Sequence, residues 1–317
     1  MKISVLDGEQ LNPGDLNWDQ LNQLGDVKIY DSTPDEKVIE RCEDADIVVT
    51  NKIKFDSERI NLLPKLECII VSATGYNIID TDSARKQNIV VCNSPSYSND
   101  AVAQHVFALI LAIYNQVESY AAEVRNGKWS EKDDWSYTNE PLQNLKGKTL
   151  GILGFGQIGQ MVSKIGQAFG MKIVAHHKHP KRDCKPNMGF VDLETLFKIS
   201  DVISLHVPLT EDTKHIVNES MLNRMKSTAV LINTGRGPLI DENALYDALS
   251  TNKIRAAGLD VMSEEPPPPN HRLYELSNCY ITPHIAWAGV VARENLMEII
   301  VQNVKAFIKN APINVVN

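Results

Sequence analysis

The sequence predicts an α/β protein made of two doubly wound parallel sheets. Short β-branched runs alternate with helical stretches. The alternation occurs twice along the chain, and the second series contains the turn Gly154-Phe155-Gly156-Gln157-Ile158-Gly159 between a strand and a helix. At 317 residues the chain is long enough for two separate cores.

In the first series the strand candidates are Ile3–Leu6, Val27–Tyr30, Asp46–Thr50, Cys68–Ser72 and Ile89–Cys92. Each is short, apolar and followed by polar residues, as buried parallel strands are. Strands of this kind separated by helices predict a flavodoxin-like open sheet. A helix is then expected from about Asn99 to Glu118, with Val102, Val106, Leu109, Ile110 and Ile113 at helical spacing. The stretch Asn126–Asn144, with Trp129 and Trp135, follows neither period and reads as an irregular arm. It suits either a surface loop pinned by its tryptophans or an arm that wraps a second subunit.

The second series runs through Thr149–Leu153, Lys172–Ala175, Val202–His206, Ala229–Asn233, Ala256–Asp260 and Tyr280–Thr282. A last helix is expected over about Ala292–Asn310. The run Pro266–Pro269 cannot continue a helix or donate to a sheet, so it reads as a rigid connector directly after Glu265.

Composition narrows the function classes. The formal net charge of −8 argues against nucleic acid or an anionic membrane as the main partner. The five cysteines are scattered without a CxxC pair, which leaves a metal site little to stand on, and Cys68 and Cys92 lie in apolar runs as reduced core thiols do. An acid at position seven marks Met1–Asp7 as a strand, not a signal peptide. No apolar run approaches the ~18 residues needed to span a bilayer. A cytoplasmic protein is expected.

A lone GxGxxG is a weak signal, but here a strand precedes it and the periodic stretch Ile158, Met161, Val162, Ile165 follows. Gly154 permits the tight turn, Gly156 lets a pyrophosphate approach the backbone, and Gly159 lets the helix pack on the strand. The helix N-terminus offers N–H groups to phosphates. At the end of the next strand, about 20 residues on, an NAD-binding protein usually places an acid for the ribose 2′-hydroxyl. Here His177 occupies that position, with Lys178, Lys181 and Arg182 around it. This set suits a 2′-phosphate, so NADP is expected to be favoured, with NAD possible. The competing reading is a solvated basic loop.

Downstream come Arg236 in Thr234-Gly235-Arg236-Gly237-Pro238, Glu265, and His284 in Thr282-Pro283-His284. Reducing a 2-keto acid needs a proton donor for the carbonyl oxygen, and an imidazole suits that task near neutral pH. A carboxylate beside it, here Glu265, favours the protonated form. The planar fork of Arg236 suits a substrate carboxylate or carbonyl. Singly, each has an ordinary explanation: a surface ion pair, a solvated loop residue, a satisfied core histidine. Together, at strand ends downstream of a nucleotide turn, they reinforce one another, because ligands gather at the carboxyl ends of parallel strands.

With these residues the chain resembles the D-isomer-specific 2-hydroxyacid dehydrogenase family over nearly its whole length. The stretches that carry the resemblance are Gly151–Gln160, Leu205–Thr210, Asn233–Glu242, Gly258–Pro266 and Thr282–Ala286. Ala73–Asn77, Pro95–Ser98 and Ala286–Ala288 look most like the family's glycerate dehydrogenase (hydroxypyruvate reductase) members. The resemblance implies a catalytic triad of Arg236, Glu265 and His284, and backbone amides around Thr74-Gly75 that hold the substrate carboxylate. It implies that Phe155, Gly156, Gln157 and Ile158 meet the pyrophosphate. Pro208, Thr234 and Asp260 would line the nicotinamide side, with Asp260 near the carboxamide, and Gly235 would also bind the cofactor. It also implies a substrate domain of residues 1–98 plus 288–317, split around a Rossmann domain of residues 99–287. Members of the family are usually homodimers joined through the cofactor domain.

The expected activity is hydride transfer from a nicotinamide cofactor to hydroxypyruvate or glyoxylate, giving D-glycerate or glycolate. Another 2-keto acid, such as pyruvate or a branched homologue, is the alternative substrate. A nucleotide-sensing, non-catalytic interaction protein, as in the C-terminal-binding-protein corepressors, is the alternative of another class. Lys52 reads as a solvated lysine, with an anionic substrate as its second possible contact.

Overall fold

The computed structural model describes residues 1–178 and 189–317. The chain forms two compact units, one of Met1–Ser98 with Trp287–Asn317 and one of Asn99–Ala286.

The first unit holds β1 (Lys2–Val5), β2 (Asp26–Ile29), β3 (Ile47–Thr50), β4 (Cys68–Val71) and β5 (Val90–Cys92). They form one sheet in the order β2-β1-β3-β4-β5, with every pairing parallel. The central strands β3 and β4 read Ile-Val-Val-Thr and Cys-Ile-Ile-Val and are buried throughout, as strands covered on both faces must be. The chain returns to this unit at its end. The helix Val290–Ile308 carries Arg293, which is 6% exposed and grips Asp15 with two guanidinium bonds of 2.6 Å. Val316 then donates to the Val91 carbonyl, and Asn317 bonds both Val91 N–H and the Ile89 carbonyl.

The second unit holds β6 (Thr149–Leu153), β7 (Lys172–His176), β8 (Gly189–Phe190), β9 (Val202–Leu205), β10 (Val230–Asn233), β11 (Ala256–Leu259) and β12 (Cys279–Ile281). Their order is β12-β11-β10-β9-β6-β7-β8, again all parallel. The direction of winding reverses between β6 and β9, and ligands bind parallel sheets beside such a switch point. One face packs Leu196, Phe197, Leu222 and Leu245 on the sheet, and the other packs Val106, Ile110 and Val162.

Every expected strand is present within a residue of its expected bounds. β8 was not anticipated, because two residues at a sheet edge carry no readable period. The expected helix Asn99–Glu118 is two helices, Asn99–Asn115 and Val117–Arg125, broken at Gln116 with φ +52°. The second helix buries none of its residues, so nothing in the core requires it to continue the first. Residues 126–144 contain neither helix nor strand. Glu123 fastens this arm by accepting from Tyr137 Oη at 3.0 Å and from Asn139 Nδ2. Trp129 Nε1 donates to the Trp135 carbonyl, while Trp135 itself is 85% exposed. Among the described residues, no helix is long and apolar enough to cross a membrane.

Candidate active site

The glycine turn joins β6 to the helix Gln157–Ala168. Gly154 has φ +95°, and a Cβ there would lie 2.4 Å from the His206 carbonyl oxygen. A Cβ on Gly159 would lie 2.3 Å from the Gly154 carbonyl oxygen, so this glycine is what lets helix and strand meet. Gly156 is different. It is exposed, and a Cβ there would meet nothing within 4 Å. It caps the helix without a side-chain hydrogen bond, leaving that place to an outside acceptor. The turn therefore has room for a pyrophosphate at the one glycine that packing does not demand.

Phe155 buries its ring edge-on against Phe190, so only its backbone can serve a ligand. Phe155 N–H donates to His177 Nδ1 at 3.3 Å, which puts the proton of a neutral His177 on Nε2. Gln157 Oε1 accepts from Asn99 Nδ2 at 2.9 Å. Ile158 is half-buried in the first turn of the helix. Lys178 is exposed just beyond β7. Lys181 and Arg182, the rest of the basic loop, lie outside the described residues.

Across the switch point, His206 directly follows β9, and its ring accepts or donates at 2.8 Å to Ser204 Oγ. Burial pushes the His206 pKa down to about 4. Pro208 lies exposed two residues on, and its carbonyl accepts from Thr213 Oγ1.

Arg236 follows β10 in a turn built by Asn233, which is wholly buried. Asn233 Oδ1 accepts from Gly235 N–H and Asn233 Nδ2 donates to the Arg236 carbonyl, at 3.0 and 2.9 Å. No carboxylate among the described residues pairs with the Arg236 guanidinium, whose Nη1 donates to the Gly235 carbonyl. Thr234 Oγ1 is the one buried side-chain polar atom among the described residues that lacks a partner. An unpaired buried hydroxyl costs ~1–3 kcal/mol, so a ligand group there would be favoured. Together with the open place at Gly156, this orphan hydroxyl fits a dinucleotide that runs from the glycine turn towards β10.

Glu265 and His284 meet directly. His284 Nδ1 lies 2.6 Å from Glu265 Oε2, and Glu265 Oε1 accepts from Met262 N–H at 3.1 Å. A carboxylate only accepts, so Nδ1 carries the proton and Nε2 is the outward atom. Both side chains stay reachable, at 24% and 33% exposure. His284 has φ +55°, a left-handed conformation that costs a non-glycine residue ~1–2 kcal/mol. The Glu265 loop is shaped from two sides. A Cβ on Gly237 would lie 2.0 Å from the Met262 carbonyl carbon, so the Arg236 turn packs against this loop only with glycine there. Glu242 accepts from Ser263 N–H at 2.7 Å and pairs with His271 Nε2. β10, β11 and β12 are adjacent, which places Arg236, Glu265 and His284 after three neighbouring strands. Asp260, 1% exposed, turns its carboxylate to the His284 loop.

Thr74 and Gly75 belong to the first unit, just beyond β4. Thr74 Oγ1 donates to the Ser94 carbonyl at 3.0 Å, and the Thr74 carbonyl accepts from Asn93 Nδ2 at 2.8 Å. In the neighbouring loop, Asp7 accepts from Asn51 N–H and Lys52 N–H, each at 2.8 Å, and from Thr50 Oγ1. Burial raises the Asp7 pKa, with the Lys52 and Asn51 amides opposing it. Asn51 Nδ2 reaches the Ser72 carbonyl at 2.6 Å, tying this loop to the one that carries Thr74. Sequence reasoning missed Asp7, Asn233, Gly237 and Glu242 as organisers. The glycine beside Arg236 was the only local signal among them.

Residues 107–286, more than half of the chain, match the family model described as "D-isomer specific 2-hydroxyacid dehydrogenase, NAD binding domain". The chain belongs to this family. Family membership makes it an oxidoreductase that uses a nicotinamide cofactor. The chain is 45% identical to the hydroxypyruvate reductase of Blautia hydrogenotrophica, with both chains covered in full. It is 40% identical to the glycerate dehydrogenase of Methylorubrum extorquens, covering 99% of this chain and 98% of that one. Among solved structures, an acyclic imino acid reductase in complex with NADPH and D-Arg is 36% identical, with full coverage of both chains and a TM-score of 0.89.

Proposed function

We propose that this dehydrogenase reduces hydroxypyruvate and glyoxylate to D-glycerate and glycolate, with NADPH as the favoured reductant. The observation that carries the reading is the 2.6 Å pair of His284 Nδ1 and Glu265 Oε2 at the carboxyl ends of β11 and β12. The reduced nicotinamide, when bound, supplies the hydride for the carbonyl carbon. His284, charged and held through Nδ1 by Glu265, gives the Nε2 proton to the carbonyl oxygen. Glu265 accepts from Nδ1–H and keeps the ring oriented through the transfer. Arg236 receives the carboxylate and polarises the carbonyl, and the amides around Thr74-Gly75 are further donors to the carboxylate. Gly156 and the backbone of Phe155, Gln157 and Ile158 hold the pyrophosphate, on the turn that Gly154 and Gly159 allow to form. Pro208, Thr234, Gly235 and Asp260 line the nicotinamide.

Hydroxypyruvate is favoured because the relative at 45% identity is named a hydroxypyruvate reductase and the one at 40% a glycerate dehydrogenase, glycerate being what hydroxypyruvate reduction yields. The NADPH preference rests on His177 and Lys178 in the place of an acid, and on NADPH in the imino acid reductase structure. Residues 1–98 with 288–317 act as the substrate domain and residues 99–287 as the cofactor domain. The exposed tryptophans of the 126–144 arm support a homodimer formed through the cofactor domain.

The test is a kcat/KM panel of hydroxypyruvate, glyoxylate, pyruvate and a branched 2-keto acid against both cofactors. Hydroxypyruvate with NADPH should lead it. A tenfold preference for NADH would overturn the cofactor half. Pyruvate or a branched acid in the lead would overturn the substrate half. No turnover of any pair would favour a sensing protein.

A further inference from the structure

The turn that carries His284 is gripped on both sides of that residue by one buried carboxylate. Asp260 Oδ1 accepts from Thr282 Oγ1 at 2.6 Å and from Ile285 N–H at 2.9 Å, and Oδ2 accepts from Ala286 N–H at 2.8 Å. His284 lies between these donors with its left-handed backbone, its own N–H donating to the Thr282 carbonyl at 3.0 Å. This is not the conformation a histidine adopts by default, so it has to be imposed by its surroundings.

A second histidine completes the grip. His105, on the helix Asn99–Asn115, places Nε2 2.9 Å from Thr282 Oγ1 and 3.4 Å from Asp260 Oδ1, with 17% of its side chain exposed. The proton positions follow from the donor inventory. The Asp260 carboxylate has no proton to give, so the Thr282 hydroxyl spends its only one on Asp260. Thr282 Oγ1 must then accept from His105, and Nε2 carries the proton. The order of donation is His105 Nε2–H to Thr282, then Thr282 to Asp260. The helix packed on this sheet is thereby linked to the loop that presents the imidazole.

We propose that His105 is a positioning residue for His284: acting through Thr282 and Asp260, it holds the 282–286 turn in the shape that aims the imidazole. The proposal rests on the reading of His284 as proton donor. His105 acts on the proton-transfer step, so kcat should depend on it more than ground-state binding does.

The test uses His105→Leu, which removes the donor, and His105→Gln, whose Nε2 sits at a similar reach. Turnover is read with hydroxypyruvate and NADPH, or with the best pair from the panel. NADPH affinity is read by fluorescence titration, and folding by Tm. His105→Leu should lower kcat by roughly tenfold or more while KM and NADPH affinity stay within about threefold. His105→Gln should recover most of the loss. Thr282→Val should reproduce the loss, Thr282→Ser should not, and the double variant His105→Leu/Thr282→Val should be no worse than either alone. If His105→Leu does not fold, the Thr282→Val and Thr282→Ser comparison decides the same point.

Unchanged kcat in His105→Leu or in Thr282→Val would overturn the proposal, as would losses that multiply in the double variant. His284→Ala is assayed in parallel. If it is inactive while His105→Leu is normal, only the positioning role fails. If it turns over normally, the reading of His284 fails and takes the proposal with it.

Discussion

His284 Nδ1 and Glu265 Oε2 stand 2.6 Å apart, and the second oxygen of the same carboxylate accepts the Met262 amide at 3.1 Å. Both oxygens of Glu265 are thus assigned, one to fixing its own loop and one to fixing the ring. The pairing leaves Nε2 as the nitrogen that can meet a substrate, and it makes the site sensitive to each of the residues that hold it.

Arg236→Lys should raise KM for the keto acid by roughly 10–100-fold, because an ammonium cannot replace the planar fork that binds a carboxylate with two bonds. The Tm should hold, since among the described residues the Arg236 guanidinium hydrogen-bonds only the Gly235 carbonyl. Steady-state kinetics with a thermal scan would check both halves.

The three glycines of the turn should separate into two kinds. Gly159→Ala forces a Cβ to within 2.3 Å of backbone and should cost about 1–3 kcal/mol of stability. Gly156→Ala points into open space, so its Tm should stay near that of the parent. Its cofactor affinity should fall roughly tenfold, as the added methyl crowds the phosphate approach. Denaturant melts and cofactor titration of the two variants would distinguish them.

His177→Asp with Lys178→Glu should turn the cofactor preference towards NADH. An acid beside the ribose repels a 2′-phosphate and accepts from a 2′-hydroxyl. The ratio of kcat/KM for NADPH over NADH should fall by roughly tenfold or more, equivalent to about 1.4 kcal/mol. An unmoved ratio would show that this strand end does not read the 2′-position.

His206 predicts a pH dependence of stability. Its pKa is about 4 in the folded chain, against an ordinary value of 6.5. The unfolded chain therefore binds a proton between those values that the folded chain does not. Stability is present above about pH 6.5 and is lost as the pH falls towards 4. Its partial exposure tempers the effect, leaving roughly 1–2 kcal/mol between pH 7 and pH 5. Urea unfolding at the two pH values should show a smaller drop for His206→Gln than for the parent.

The sequence revealed those parts of the site that are local in the chain. The glycine turn is legible because a strand, the six-residue motif and the helix that the motif opens follow one another without interruption. The central strands are legible because burial on both faces demands continuous apolar runs such as Ile47–Val49 and Cys68–Val71. The break at Gln116 was not legible, since the apolar spacing runs on through Val117 and no glycine or proline marks the bend. Asp7 was hidden for a different reason. Its partners Asn51 and Lys52 lie 44 and 45 residues away, and only parallel pairing of β1 with β3 brings them together. His105 and Thr282 are 177 residues apart, so the second histidine behind the turn emerges only from the fold.

The most direct test of the account is His284→Ala assayed with hydroxypyruvate and NADPH. The account predicts a kcat lowered by roughly 100-fold or more, the scale of a positioned general acid, with NADPH affinity changed by less than about threefold. Near-normal turnover in that variant would contradict it.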